Sequence, residues 1–179
     1  AGQICISPSR FFVHDRVHDS FVRHFTEISA ALQVKPGIDE DSDIGALANK
    51  RRLDAMEAFV EDATSKGATI ECGGRRLGNL GFFFPPTVLS DVPDTASAMT
   101  EEIFGPVVPI QRFDTLDGVI EKANALPYGL AAYAYTSSQK TAAEISSRIE
   151  TGMLGINHTV VFTPETPFGG VKESGYGSE

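Results

Sequence analysis

Tryptophan is missing altogether, and only two cysteines, Cys5 and Cys72, occur among the 179 residues. Two thiols are too few for a disulfide framework and stand in no metal-ligand spacing, so any chemistry they perform is thiol chemistry. Basic residues are also scarce. Fifteen Lys and Arg face 24 Asp and Glu, a formal net charge of −9. That balance disfavours long-range attraction to phosphate backbones and anionic lipid, and argues against nucleic acid as a partner. No apolar run reaches the ~18 residues of a membrane helix, and the opening AGQICISPSR lacks the basic and then apolar layout of a signal peptide. The expectation is a soluble protein of the cytoplasm. The four histidines, His14, His18, His24 and His158, are scattered, and no metal site is expected from them.

What remains is an ordinary globular mixture, 41% apolar with 17 Gly and 10 Pro, long enough to bury one hydrophobic core, so one domain is the default. Arg10 to His14 reads as a short buried strand. A helix follows from Asp15, with the apolar series Val17, Phe21, Phe25, Ile28 and Leu32. A second helical series, Leu53, Met56, Phe59, Val60 and Ala63, stops at Lys66-Gly67. A strand is expected at Ala68 to Glu71, and Phe82 to Leu89 follows a glycine-rich stretch, its first half made an irregular or edge segment by Pro85 and Pro86. Val107 to Phe113, a helix capped by Asp114 or Thr115, and Leu130 to Thr136 read as a βαβ unit. Thr136-Ser-Ser-Gln139 fits a capping box for a helix striped by Ala142, Ile145 and Ile149, and Met153 to Ile156 reads as a last strand. The alternation implies an α/β fold with a mostly parallel sheet covered by helices, and functional groups on loops at strand ends.

Three places could carry chemistry. Cys5 sits in Gly2-Gln-Ile-Cys-Ile-Ser-Pro8, a sharp segment ahead of the first strand, where a thiol can be a nucleophile or an inert packed residue. Cys72, where a strand meets a glycine turn, reads as filler. Thr100-Glu-Glu-Ile-Phe-Gly-Pro106 sets carboxylates and a ring before a strand, able to meet a ribose diol and a flat heterocycle or to form a solvated helix end. The tail Pro167 to Gly177 holds Gly169, Gly170, Gly175 and Gly177, dense enough for close backbone approach yet not a phosphate-binding GxGxxG.

Taken in order, Gly2-Gln-Ile-Cys5, Glu101-Glu-Ile-Phe-Gly-Pro106, Tyr128-Gly-Leu-Ala131 and Pro167-Phe-Gly-Gly-x-Lys172-x-Ser-Gly175 resemble the NAD(P)-dependent aldehyde dehydrogenase superfamily, over essentially the whole chain. The resemblance implies a thiol-bearing catalytic domain spanning 1–179, without the family's longer N-terminal cofactor-binding part. It implies Cys5 as the nucleophile that forms a thiohemiacetal and then a thioester with an aldehyde, and NAD or NADP as cofactor. Glu102 would bind the nicotinamide ribose and Phe104 would pack beside it. Phe162, Thr163 and Phe168 would wall the aldehyde pocket, with Asn157 anchoring their loop. A homo-oligomer is implied for the full enzyme, and inactivity for this chain alone.

The tail from Glu165 to Glu179 is similar to bacterial members that act on succinate semialdehyde. Phe162, five residues after Asn157, departs from the serine common there and favours an uncharged or partly apolar aldehyde. Ser7, where many of those enzymes carry a second cysteine, excludes a vicinal disulfide. Two other classes compete: a cysteine hydrolase pairing Cys5 with an imidazole, and a non-catalytic binding or assembly module.

Overall fold

The computed structural model describes residues 2–179. They gather into two compact units, one holding Ser9–Phe113 with the residues up to Ile4, the other Cys5–Pro8 with Asp114–Glu179.

The first unit is built on Val107–Phe113 (β4), a run rich in β-branched residues that pairs in parallel with Phe11–His14 (β1) on one side and Thr87–Ser90 (β3) on the other. Thr69–Cys72 (β2) adds an antiparallel edge to β3, giving the order β1-β4-β3-β2. Strand side chains alternate between faces. Phe11, Val13, Val88, Val108 and Ile110 therefore meet Val22, Phe21 and Phe25 of the helix Asp15–Ala31 (α1). Phe12, Leu89 and Val107 meet Leu53, Met56, Phe59, Val60 and Ala63 of Lys50–Ser65 (α2). Both faces of the parallel strands are covered, as such sheets require.

Asn49 caps α2 by accepting from the Arg52 backbone N–H at 3.0 Å, and its stripe is buried as its spacing requires. The stripe expected on α1 is buried only at Phe21 and Phe25, and there in part. Val17 and Ile28 are exposed, while His18, Val22 and Ser29, one position on, face inward. Phe21 and Phe25 lie between the two stripes, with ring centroids 5.5 Å apart.

In the second unit Thr115 caps Leu116–Asn124 (α4), its hydroxyl accepting from the Gly118 N–H. Ala131–Ala134 (β6) pairs in parallel with Met153–Ile156 (β7) across Gln139–Arg148 (α5). The βαβ unit expected over 107–136 is therefore corrected: β4 pairs with β1 and β3, and the right partner for the strand after α4 is β7, reached through α5. The cap of α5 is Ser138, accepting from the Thr141 N–H, and Thr136 instead accepts from the Ser138 N–H. Tyr128–Gly129 (β5) and Val171–Lys172 (β8) form a short antiparallel pair that returns the glycine-rich tail. The four-residue Ser97–Thr100 (α3) precedes the 101–106 loop. Among the described residues no helix is long and apolar enough to cross a membrane.

Candidate active site

Cys5 lies on a turn with its thiol exposed. Three residues earlier Gly2 has φ +68, and a Cβ there would stand 2.2 Å from the Gly105 carbonyl oxygen. A side chain at position 2 has neither the backbone conformation nor the room. Within its own unit the turn is held by Tyr133 of β6, whose hydroxyl donates to the Ile6 carbonyl at 2.8 Å. Burial pushes the Tyr133 phenol up, and the neighbouring Cys5 charge adds to that, so the hydroxyl keeps its proton and remains a donor.

Cys72 behaves differently. It is half-buried, its thiol pointing to the Pro86 carbonyl at 3.6 Å, and burial raises its pKa. A buried thiol kept neutral is a poor nucleophile.

The 101–106 loop belongs to the first unit and is fixed through its backbone. Arg52 donates to the Ile103 carbonyl at 2.9 Å, the Glu101 N–H returns to Ser97, and the Thr87 N–H donates to the Pro106 carbonyl at 2.8 Å. Ile103 is buried, Glu102 is exposed, and Phe104 is half-buried with φ +48. A bulky residue in the left-handed region costs of order 1 kcal/mol and persists only where its surroundings hold it. An exposed carboxylate is an acceptor for hydroxyl groups, and a half-buried ring offers a face to a flat group.

Phe162, Thr163 and Phe168 lie together on the loop between β7 and β8, all exposed. Thr163 is engaged in its own turn: its N–H donates to the Thr166 hydroxyl and its carbonyl accepts from the Thr166 N–H. Phe168 exchanges two backbone hydrogen bonds with Glu179. The loop starts from Asn157, φ +56, which prolongs the parallel ladder by its side chain. Its amide accepts from the Thr136 N–H and donates to the Thr136 carbonyl, both at 2.9 Å, while its own N–H donates to Ala134. The anchoring expected of Asn157 is present.

Lys172 gives the PFGGxKxSG segment a structural reason. Its ammonium donates to the Asn124 and Leu126 carbonyls at the end of α4 and pairs with Glu150 at 2.6 Å. Nδ1 of each histidine is engaged near its own position, with Arg16 N for His14, Asp19 for His18, Ser20 O for His24 and Val160 for His158. Among the described residues no group of three or more metal-ligating side chains forms.

Tyr133 was not legible as a site residue. Its signal was an aromatic set among alanines in Ala131-Ala-Tyr-Ala134, a strand otherwise built of small side chains.

Residues 1–179 match the model of the aldehyde dehydrogenase family. The chain belongs to that family. It is 44% identical, over its whole length, to a protein of Sinorhizobium fredii named probable succinate-semialdehyde dehydrogenase (NADP(+)), of which it covers 36%. It is 43% identical, again over its whole length, to a Comamonas testosteroni protein named putative 4-(hydroxymethyl)benzenesulfonate dehydrogenase, of which it covers 37%. The crystal structure of succinate-semialdehyde dehydrogenase from Burkholderia pseudomallei superposes with a TM-score of 0.96 at 37% identity, over 99% of this chain and 37% of that one. This aldehyde dehydrogenase family chain thus spans little more than a third of the length of these relatives. The α/β fold with parallel pairing expected from its sequence is the fold it has.

Proposed function

We propose that this chain supplies the nucleophile of an NAD(P)-dependent aldehyde dehydrogenase, with Cys5 as the attacking thiol, within a catalytic domain spanning 1–179. The observation that carries the reading is the exposed Cys5 turn in a chain that matches the family from end to end, with the other thiol half-buried and kept neutral.

The Cys5 thiolate attacks the aldehyde carbon, and the Cys5 backbone N–H donates to the oxyanion of the thiohemiacetal. A nicotinamide, when bound, would supply the hydride acceptor for oxidation of the thiohemiacetal to a thioester. Water then cleaves the thioester, releasing the acid and restoring the thiol. Glu102 would accept from the ribose hydroxyls and Phe104 would pack beside that end of the cofactor. NADP is favoured over NAD by the names of the relatives.

Phe162 and Phe168 give the substrate wall an apolar surface, Thr163 is its polar member, and residues 157–168 contain no Lys or Arg to hold a carboxylate. These features favour an uncharged or partly apolar aldehyde. The second reading, succinate semialdehyde, is favoured by the names of several relatives.

The test is steady-state kinetics on the full-length protein. Cys5→Ser is expected to abolish NADPH or NADH formation, and retention of activity overturns the reading. A kcat/KM far higher for succinate semialdehyde than for butyraldehyde or benzaldehyde decides for the second substrate. The 179-residue chain alone is expected to form no reduced cofactor.

A further inference from the structure

The turn that presents Cys5 is short, exposed, and has little burial of its own to fix it. Cys5 and Pro8 are exposed, Ile6 and Ser7 half-buried. What reaches it from elsewhere is Tyr133, 127 positions along the chain, through the hydrogen bond from its hydroxyl to the Ile6 carbonyl at 2.8 Å. The ring that carries this hydroxyl has a seat made for it. Tyr133 stands opposite Gly155 in the parallel β6–β7 register. Gly155 is buried, and a Cβ there would lie 3.2 Å from the Tyr133 ring, 2.9 Å from a Val161 methyl and 2.6 Å from the His158 carbonyl oxygen. The missing side chain at 155 therefore lets two things close in at once, the Tyr133 ring and the start of the loop that carries Phe162 and Thr163.

We infer that Tyr133 is a positioning residue for the nucleophile, a strut whose hydroxyl fixes the Cys5 turn, and that Gly155 couples this strut to the substrate loop. The inference rests on Cys5 being the nucleophile. A peptide carbonyl held one residue after the thiol sets the direction of the following peptide and limits rotation of the turn. Small misplacement of an attacking atom is enough to cost rate without weakening binding. The phenol, its pKa raised chiefly by burial, stays protonated and remains a donor to the Ile6 carbonyl through neutral and mildly basic pH.

The experiment uses the full-length protein and Tyr133→Phe, which removes one oxygen and leaves the ring on Gly155. The expected result is a fall in kcat of about tenfold with KM for aldehyde and cofactor within about twofold, at unchanged thermal midpoint. Iodoacetamide labelling followed by mass spectrometry should slow at Cys5 and not at Cys72. Gly155→Ala is expected to raise KM and lower kcat together, because it displaces the loop as well as the ring. Unchanged kcat and unchanged Cys5 labelling in Tyr133→Phe overturn the strut, as does a loss explained wholly by a lower thermal midpoint. Activity surviving in Cys5→Ser instead overturns the assignment of the nucleophile, so the two failures are distinct.

Discussion

Ser9–Phe113 closes two clusters of buried side chains, one on each face of its sheet, whereas Asp114–Glu179 buries little beyond Ile120, Met153 and Gly155. The second unit shows Tyr128, Tyr135, Phe162, Phe168 and Tyr176 to solvent. Its helix α5 has no buried residue at all. The first unit is held by apolar packing. The second is held by ladders and by side chains that close backbone groups: Asn157 on Thr136, Asn124 on Arg148 and Glu150, and Lys172 on the end of α4. A unit of the second kind can place loops accurately while leaving their apolar side chains available to a ligand or to further protein.

The largest expected effect that tests this contrast is at Phe84, 1% exposed in the first core. Phe84→Ala should cost about 3–5 kcal/mol, by lost transfer energy plus the cavity. Phe162→Ala, removing the same ring from an exposed loop, should change stability by no more than about 0.5 kcal/mol. Urea denaturation of both variants measures the gap, and equal losses would break the comparison. Amide exchange sharpens it: β3 and β4 should exchange far more slowly than β6 and β7.

Next in size is Asn157. Asn157→Ala removes two hydrogen bonds to Thr136 and leaves a non-glycine, non-asparagine residue at φ +56, a loss of about 1–3 kcal/mol. Asn157→Gly keeps the backbone conformation free and should recover part of it. If the second unit owed its order to a core, the two variants would behave like any exposed substitution, with no difference between them.

The same contrast explains what could be read in advance. The α2 stripe was legible because its apolar residues form one continuous face and nothing competes with them. On α1 two adjacent stripes share Phe21 and Phe25, one continuing to Val17 and Ile28, the other to His18, Val22 and Ser29, and hydrophobicity alone selects the wrong one. Strand positions were legible from β-branched runs, but the partner of each strand was not. Chain order set β4 beside the strand of Ala131–Ala134, and only the fold shows that the latter pairs with β7. Of the residues proposed to act, Cys5, Glu102 and Phe104 stand out in the sequence by type and order. The Tyr133 strut does not, because a hydrogen bond to a main-chain carbonyl 127 positions away leaves no local pattern.

The smallest expected effect concerns charge laid over the first core. Arg112, near the end of β4, donates to Asp91 at 2.9 Å, to Asp19 at 2.6 Å and to Asp15 at 3.4 Å, tying the start of α1 to the turn after β3. Hydrogen bonds from His18 and then Arg112 hold the Asp19 carboxyl below the usual carboxylate range. A folded-state pKa below the unfolded one means that the stabilisation is full at neutral pH and is lost as pH falls from about 4 through the lower folded value. Asp19 is exposed and its partners are solvated, so the contribution is small beside that of the core. Denaturation midpoints of the wild type and Asp19→Asn should therefore differ slightly at pH 7 and converge as the solution is made strongly acid. A difference that stays constant down to the acid limit would mean that Asp19 acts through packing or helix capping and not through its charge. The charge of Asp19 would then add nothing to the stability of the first unit.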